Sequence, residues 1–91
     1  MDQLVLAAQQ IIKAQQSVIG PIALDQARHV SGLTVDTPND VTISGNPKKI
    51  LAELVDKYAE FFGQASVEVC KDAVRELTPP IPSSDLPDIL K

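Results

Sequence analysis

The only imidazole of this 91-residue chain is His29 and its only thiol is Cys70. Both side chains can act as nucleophiles or accept a transferred group, and both bind soft metals. One cysteine cannot close an internal disulfide, and two such ligands cannot complete a four-coordinate zinc site. The segment His29-Val30-Ser31-Gly32 falls where a helix is expected to end, a position at which the helix dipole favours a protonated imidazole. Cys70 falls on the apolar stripe of another helix, where a thiol packs as a small hydrophobe. As a nucleophile it would need a base, and His29 is the candidate. Asp36, Asn39 and Asp40 sit together, but a calcium loop needs more regularly spaced oxygens and a downstream Glu, so turn chemistry accounts for them. There is no glycine-rich phosphate cradle, metalloprotease motif or nucleophile elbow. No catalytic residue, metal or cofactor is expected.

The elements that would position these groups are mainly helical. Apolar residues at 4, 5, 8, 11, 12, 18 and 19 form a 3.6-residue stripe, with Gln9, Gln10, Lys13, Gln15 and Gln16 between them. That pattern predicts a helix over 3–19. The polar interruptions, and Asp2-Gln3 where a basic leader would begin, argue against a signal peptide or membrane anchor. Gly20-Pro21 stops this helix and starts a second over about 21–31, with Asp25 near its positive end and Arg28 near its negative end. Gly32 ends it. Between 33 and 44, Leu33/Val35 and Val41/Ile43 alternate with polar residues around a TPND turn, which predicts a β-hairpin, with an extended loop as the alternative. Such a hairpin must lie on the helices or pair with another chain.

Asn46 and Pro47 read as N-cap and first residue of a third helix, 47–62, carrying Ile50, Leu51, Leu54, Val55, Tyr58, Phe61 and Phe62. Gly63 separates it from a fourth, 64–77, with Val67, Cys70, Val74 and Leu77 on one face. Residues 1–78 therefore read as one helical domain, a four-helix arrangement of two helix-Gly-helix units with a hairpin between them. Thr78-Pro79-Pro80 closes it. A Pro-rich tail, 79–91, follows, either packed back as a strap or left free as a linear motif through Ile81, Leu86, Ile89 and Leu90.

Superimposing Gly20 on Gly63, an offset of 43 residues, brings Ile11-Ile12 onto Leu54-Val55, Val18-Ile19 onto Phe61-Phe62 and Ala27-Arg28 onto Cys70-Lys71. This is either an internal repeat or the generic match of two amphipathic helix pairs. Twelve acids against eight bases give a net charge of −4 without a basic stripe, which disfavours nucleic acid and anionic membranes. A reducing cytoplasm fits the lone cysteine. The polar side of the first helix is almost uncharged, and an uncharged face is cheaper to desolvate than a charged one. Gln9, Gln10, Lys13 and Gln16 are accordingly candidates for contact with a partner or a second copy. Tyr58, Phe61 and Phe62, the only aromatics, are candidates for an apolar ligand pocket.

The run Val18-Ile19-Gly20-Pro21-Ile22-Ala23, preceded by an apolar helix, resembles the Ile-Gly-Pro-x-Ala core of helical modules appended to bacterial serine/threonine kinases and related signalling proteins. The resemblance covers residues 4 to 31; the hairpin and the unit around Gly63 depart from it. It implies a regulatory or scaffolding module with no catalytic residues. Size and acidity are also similar to histidine phosphotransfer domains and acyl carrier proteins. The Lys-Gly that follows the histidine of the former is missing after His29, and the Asp-Ser-Leu of the latter is not matched by Ser83-Ser84-Asp85-Leu86. The expected function is a non-enzymatic protein–protein interaction or regulatory module, in bacterial signalling or scaffolding, acting on a protein partner or by self-association. The alternatives are a small carrier or phosphorelay protein using His29 or Cys70, and a helical bundle binding an apolar ligand.

Overall fold

The computed structural model describes residues 3–37, 39–77 and 80–90. Four helices carry the fold: α1 (Gln3–Ile19), α2 (Ile22–Arg28), α3 (Pro47–Phe62) and α4 (Gln64–Arg75). An antiparallel hairpin of β1 (Leu33–Thr37) and β2 (Asp40–Ile43) lies between α2 and α3 in the chain. Ala7, Ala8, Ile11 and Ile12 of α1 pack into one core with Ala23 and Ala27 of α2, Leu51, Leu54, Val55 and Tyr58 of α3, and Val67, Cys70 and Val74 of α4. The two alanine pairs present little bulk, so the helices can approach closely.

Local chemistry explains the boundaries. Asn46 caps α3, its Oδ1 accepting from the backbone N–H groups of Lys48 and Lys49 at 3.1 and 3.4 Å, and Pro47 opens the helix without a donor to orphan. The helix expected over 21–31 is shorter. After Arg28 the N–H groups of His29 and Val30 bond to Gln26 and Ala27, i to i−3, and the chain tightens out of the helix before Gly32. Gly32 has φ +85°, and a Cβ there would stand 2.6 Å from the Ser44 carbonyl oxygen. Only glycine lets the two ends of the hairpin segment close, with the Ser44 N–H donating to Gly32 O at 2.7 Å. The fourth helix likewise stops at Arg75, two residues before the expected end.

The hairpin pairs Leu33 with Ile43, Thr34 with Thr42 and Val35 with Val41, and a bulge follows before Thr37 meets Asp40. Leu33, Val35 and Val41 are buried while Thr34 and Thr42 face out, the alternation that the sequence carries. The hairpin lies on α1 and α2. Arg28 fixes it by donating from Nε to Val35 O and from Nη2 to Asp36 O, both at 3.0 Å, and Gln9 Nε2 reaches Asn39 O at 3.1 Å. Arg28 thereby occupies carbonyls of β1 that could otherwise template a foreign strand. Pro38 of the expected turn, and Thr78-Pro79 at the expected domain end, lie outside the described residues.

Residues 80–90 do not leave the fold as a free Pro-rich tail. Two short 3₁₀ turns, Ser83–Asp85 and Asp88–Leu90, lie in this segment, and the second packs on α3 and α4. Ile81, Leu86 and Leu90 are buried and Ile89 is half-buried; Lys48 Nζ donates to Ser84 O at 3.2 Å. Apolar residues at 81, 86, 89 and 90, separated by Pro, Ser and Asp, lay this strap against the core.

Candidate functional site

The two glycine corners share a hydrogen-bond pattern. Gly20 (φ +77°) donates to Gln16 O at 2.9 Å, and Gly63 (φ +81°) donates to Ala59 O at 2.8 Å. Gly20 O accepts from Ala23 N–H and Gly63 O from Ser66 N–H, each at 3.1 Å. The interior contacts beside them cross over. Gln15 Nε2 of α1 donates to Ser66 O at the second corner at 2.9 Å, and Tyr58 O–H of α3 donates to Ala23 O at the first at 2.8 Å. Each of these residues stands 43 positions from its counterpart. The two bonds tie each unit's first helix to the start of the other unit's second helix.

Gln15 is 0% exposed, with Nε2 also 3.2 Å from Cys70 Sγ and Oε1 without a partner among the described residues. It lies i+4 from Ile11 and i+3 from Ile12, so the stripe itself marks it as inward-facing although its side chain is polar. Burial pushes the Cys70 thiol up to about 11, with the Gln15 amide acting weakly the other way. Burial first, and the neighbouring Cys70 second, push the Tyr58 hydroxyl well above its ordinary value. At neutral pH Cys70 is a protonated, enclosed thiol, which removes it from the carrier reading.

Two surface grooves run beside the helix pairs. The first, about 410 Å³, has Gln10, Lys13, Ala14, Ser17 and Val18 of α1 as one wall and Val69, Asp72, Ala73 and Glu76 as the other. The second, about 300 Å³, has Glu53, Asp56, Lys57 and Glu60 of α3 as one wall and His29, Val30 and Ser31 as the other. The wall positions 10, 13, 14 and 17 stand 43 residues before 53, 56, 57 and 60. His29 is exposed, with Nδ1 2.6 Å from Asp25 O, so the tautomer that suits this contact donates from Nδ1 and leaves Nε2 as the acceptor. Three carboxylates in the same groove repel an incoming phosphoryl group.

The sequence-derived candidates are thus divided. Gln9 is buried and bonded to the hairpin, so it belongs to the fold rather than to an outward face. Gln10 and Lys13 line the first groove, and Gln16 is half-buried. Ile81, Leu86 and Leu90 are covered. The three aromatics do not converge on a pocket: Tyr58 is 0% exposed, Phe61 is 58% exposed, and the Phe61 and Phe62 ring centroids stand 6.3 Å apart. Val18, Ile22 and Phe61 lie on the apolar stripes of the sequence yet are exposed, Val18 most of all at 64%. Val18 and Phe61 occupy the last turns of α1 and α3, beside Ile19 and Phe62, which are half-buried against the core. Among the described residues, no group of three or more His, Cys, Asp or Glu is placed to hold a metal ion, and no helix is long and apolar enough to cross a membrane. No family model, curated protein or solved structure matches the chain.

Proposed function

We propose that this protein is a non-enzymatic protein–protein interaction module, built as an internal repeat of two helix-Gly-helix units whose outer grooves receive other protein surfaces. The observation that supports it is the pair of exposed apolar side chains, Val18 and Phe61, at corresponding ends of α1 and α3. Large apolar groups held outside on rigid helices, beside grooves with polar rims, are the composition of a docking surface. The Ile-Gly-Pro-x-Ala resemblance at Ile19–Ala23 extends this reading to a regulatory or scaffolding role in bacterial signalling.

The reading is tested with a photo-crosslinking amino acid at position 18 or 61, introduced into the full chain in its native cells. Discrete protein adducts are expected from both positions. Adducts no different from those of a control crosslinker at Thr34, on the outer face of the hairpin, would overturn it. Phosphate incorporation at His29 would favour the phosphorelay reading instead.

A further inference from the structure

We infer that the α1/α4 groove is the interface of a homodimer, two copies meeting across a twofold axis; this deepens the interaction reading and rests on it. The groove is charged asymmetrically. Its α1 wall carries one charge, Lys13, and its α4 wall carries Asp72 and Glu76. Asp72 is held by Arg75 at 2.9 Å, whereas neither Lys13 nor Glu76 has an ion-pair partner among the described residues. One unpaired cation and one unpaired anion therefore line the same groove, together with the apolar Ala14, Val69 and Ala73.

A twofold contact brings the same patch of both copies together, so Lys13 of each meets Glu76 of the other and both charges are paired twice over. A wholly basic partner would meet Lys13, and a wholly acidic one Asp72 and Glu76; the surface that carries both signs in the matching order is this chain's own. The rest of the α1 wall suits burial. Gln10 and Ser17 are uncharged, and Val18 supplies an apolar anchor that is otherwise in water. The α2/α3 groove holds the cation Lys57 as well, but against three carboxylates, Glu53, Asp56 and Glu60, so a twofold contact there leaves an excess of like charge. A standard interface takes roughly 800 Å² from each partner, about a sixth of the 4853 Å² surface here.

The test is sedimentation equilibrium of the full chain over a concentration series, with circular dichroism to check that each variant is folded. The wild type is expected to be a concentration-dependent dimer. Lys13→Glu and Glu76→Lys should each weaken it by about tenfold or more, and the double variant should recover most of that loss. Val18→Asp should dissociate it independently of charge. A wild type that stays monomeric at hundreds of micromolar, or a dimer indifferent to all four variants, overturns the proposal. If the wild type is monomeric while the crosslinker at position 18 still traps a different protein, the homodimer falls and the interaction reading stands. If neither is seen, both fall.

Discussion

The two halves of the molecule, α1 with α2 and α3 with α4, turn at the same kind of corner and then use the result differently. Gly20 and Gly63 take nearly equal φ angles, each followed by a carbonyl that accepts from the third residue on. Ile11 and Ile12 are as enclosed as Leu54 and Val55. Yet the outer wall of α1 carries one charge at 10–17, and that of α3 carries four. The inward position between wall and core holds an amide in one half, Gln15, and a phenol in the other, Tyr58. Positions that set geometry agree and positions that set chemistry do not, as expected when packing constrains the first class and solvent or partners the second.

The largest effect is expected where the halves differ inside. Tyr58→Ala removes the largest fully buried side chain and should cost about 3–5 kcal/mol in urea unfolding. Tyr58→Phe, which removes only the bond to Ala23 O, should cost about 1 kcal/mol. Gln15→Met has two opposed effects. It keeps the volume and eliminates an acceptor, Oε1, that is buried without a partner, which offsets the lost Nε2 bond to Ser66 O, so the net change should stay within about 1 kcal/mol. Equal losses at positions 15 and 58 would mean that the two interior contacts are equivalent.

Much of this arrangement was legible in the residues. The span of α3 follows from Asn46-Pro47 at one end and Gly63 at the other, and the hairpin from period-2 alternation, because these signals act within a few residues. The failures have one form. Val18 and Phe61 belong to their stripes by spacing, but burial depends on what lies opposite: in the last turns of α1 and α3 Ile19 and Phe62 pack on the core while Val18 and Phe61 stay exposed. Gln15 fails in the other direction, since a polar side chain on the apolar stripe has the right position and the wrong chemistry for a rule based on hydrophobicity. The uncharged face of α1 had two causes that composition could not separate: Gln9 and Gln15 are internal, while Gln10 lines a groove. The strap could be placed only once α3 and α4 offered a surface to it.

A smaller effect separates the halves by pH. Cys70 of α4 corresponds to Ala27 of α2, so an ionisable group lies in the core of one half alone. Its folded pKa, about 11, exceeds the ordinary thiol value of 9.0. Above pH 9 the unfolded thiol loses its proton while the folded one keeps it, so the unfolded state binds fewer protons and stability falls as pH rises. The expected decline is about 1.4 kcal/mol per pH unit between roughly 9 and 11, with no contribution from Cys70 below that window. Tyr58 adds a decline of the same sign above its ordinary value of 10.0, so the thiol is isolated by comparison with Cys70→Ala. Parallel profiles for the two proteins would remove Cys70 as the source.

The corners themselves should give the smallest difference. A Cβ built on Gly20 or Gly63 meets nothing within 4 Å, so alanine there suffers only the positive-φ backbone, about 1–3 kcal/mol, with Gly63 (φ +81°, ψ −168°) in a region essentially confined to glycine. The two variants should therefore both fall in that range in urea midpoint analysis, although one corner is followed by Pro21 and the other by Gln64. Gly32→Ala has the same φ penalty but adds a Cβ 2.6 Å from a backbone oxygen, and so should cost clearly more than either. If Gly20→Ala and Gly63→Ala diverged beyond that range, the corners would differ in the strain they impose on their helices. The shared hydrogen-bond pattern would then be a coincidence of two glycine turns rather than the mark of a repeated unit.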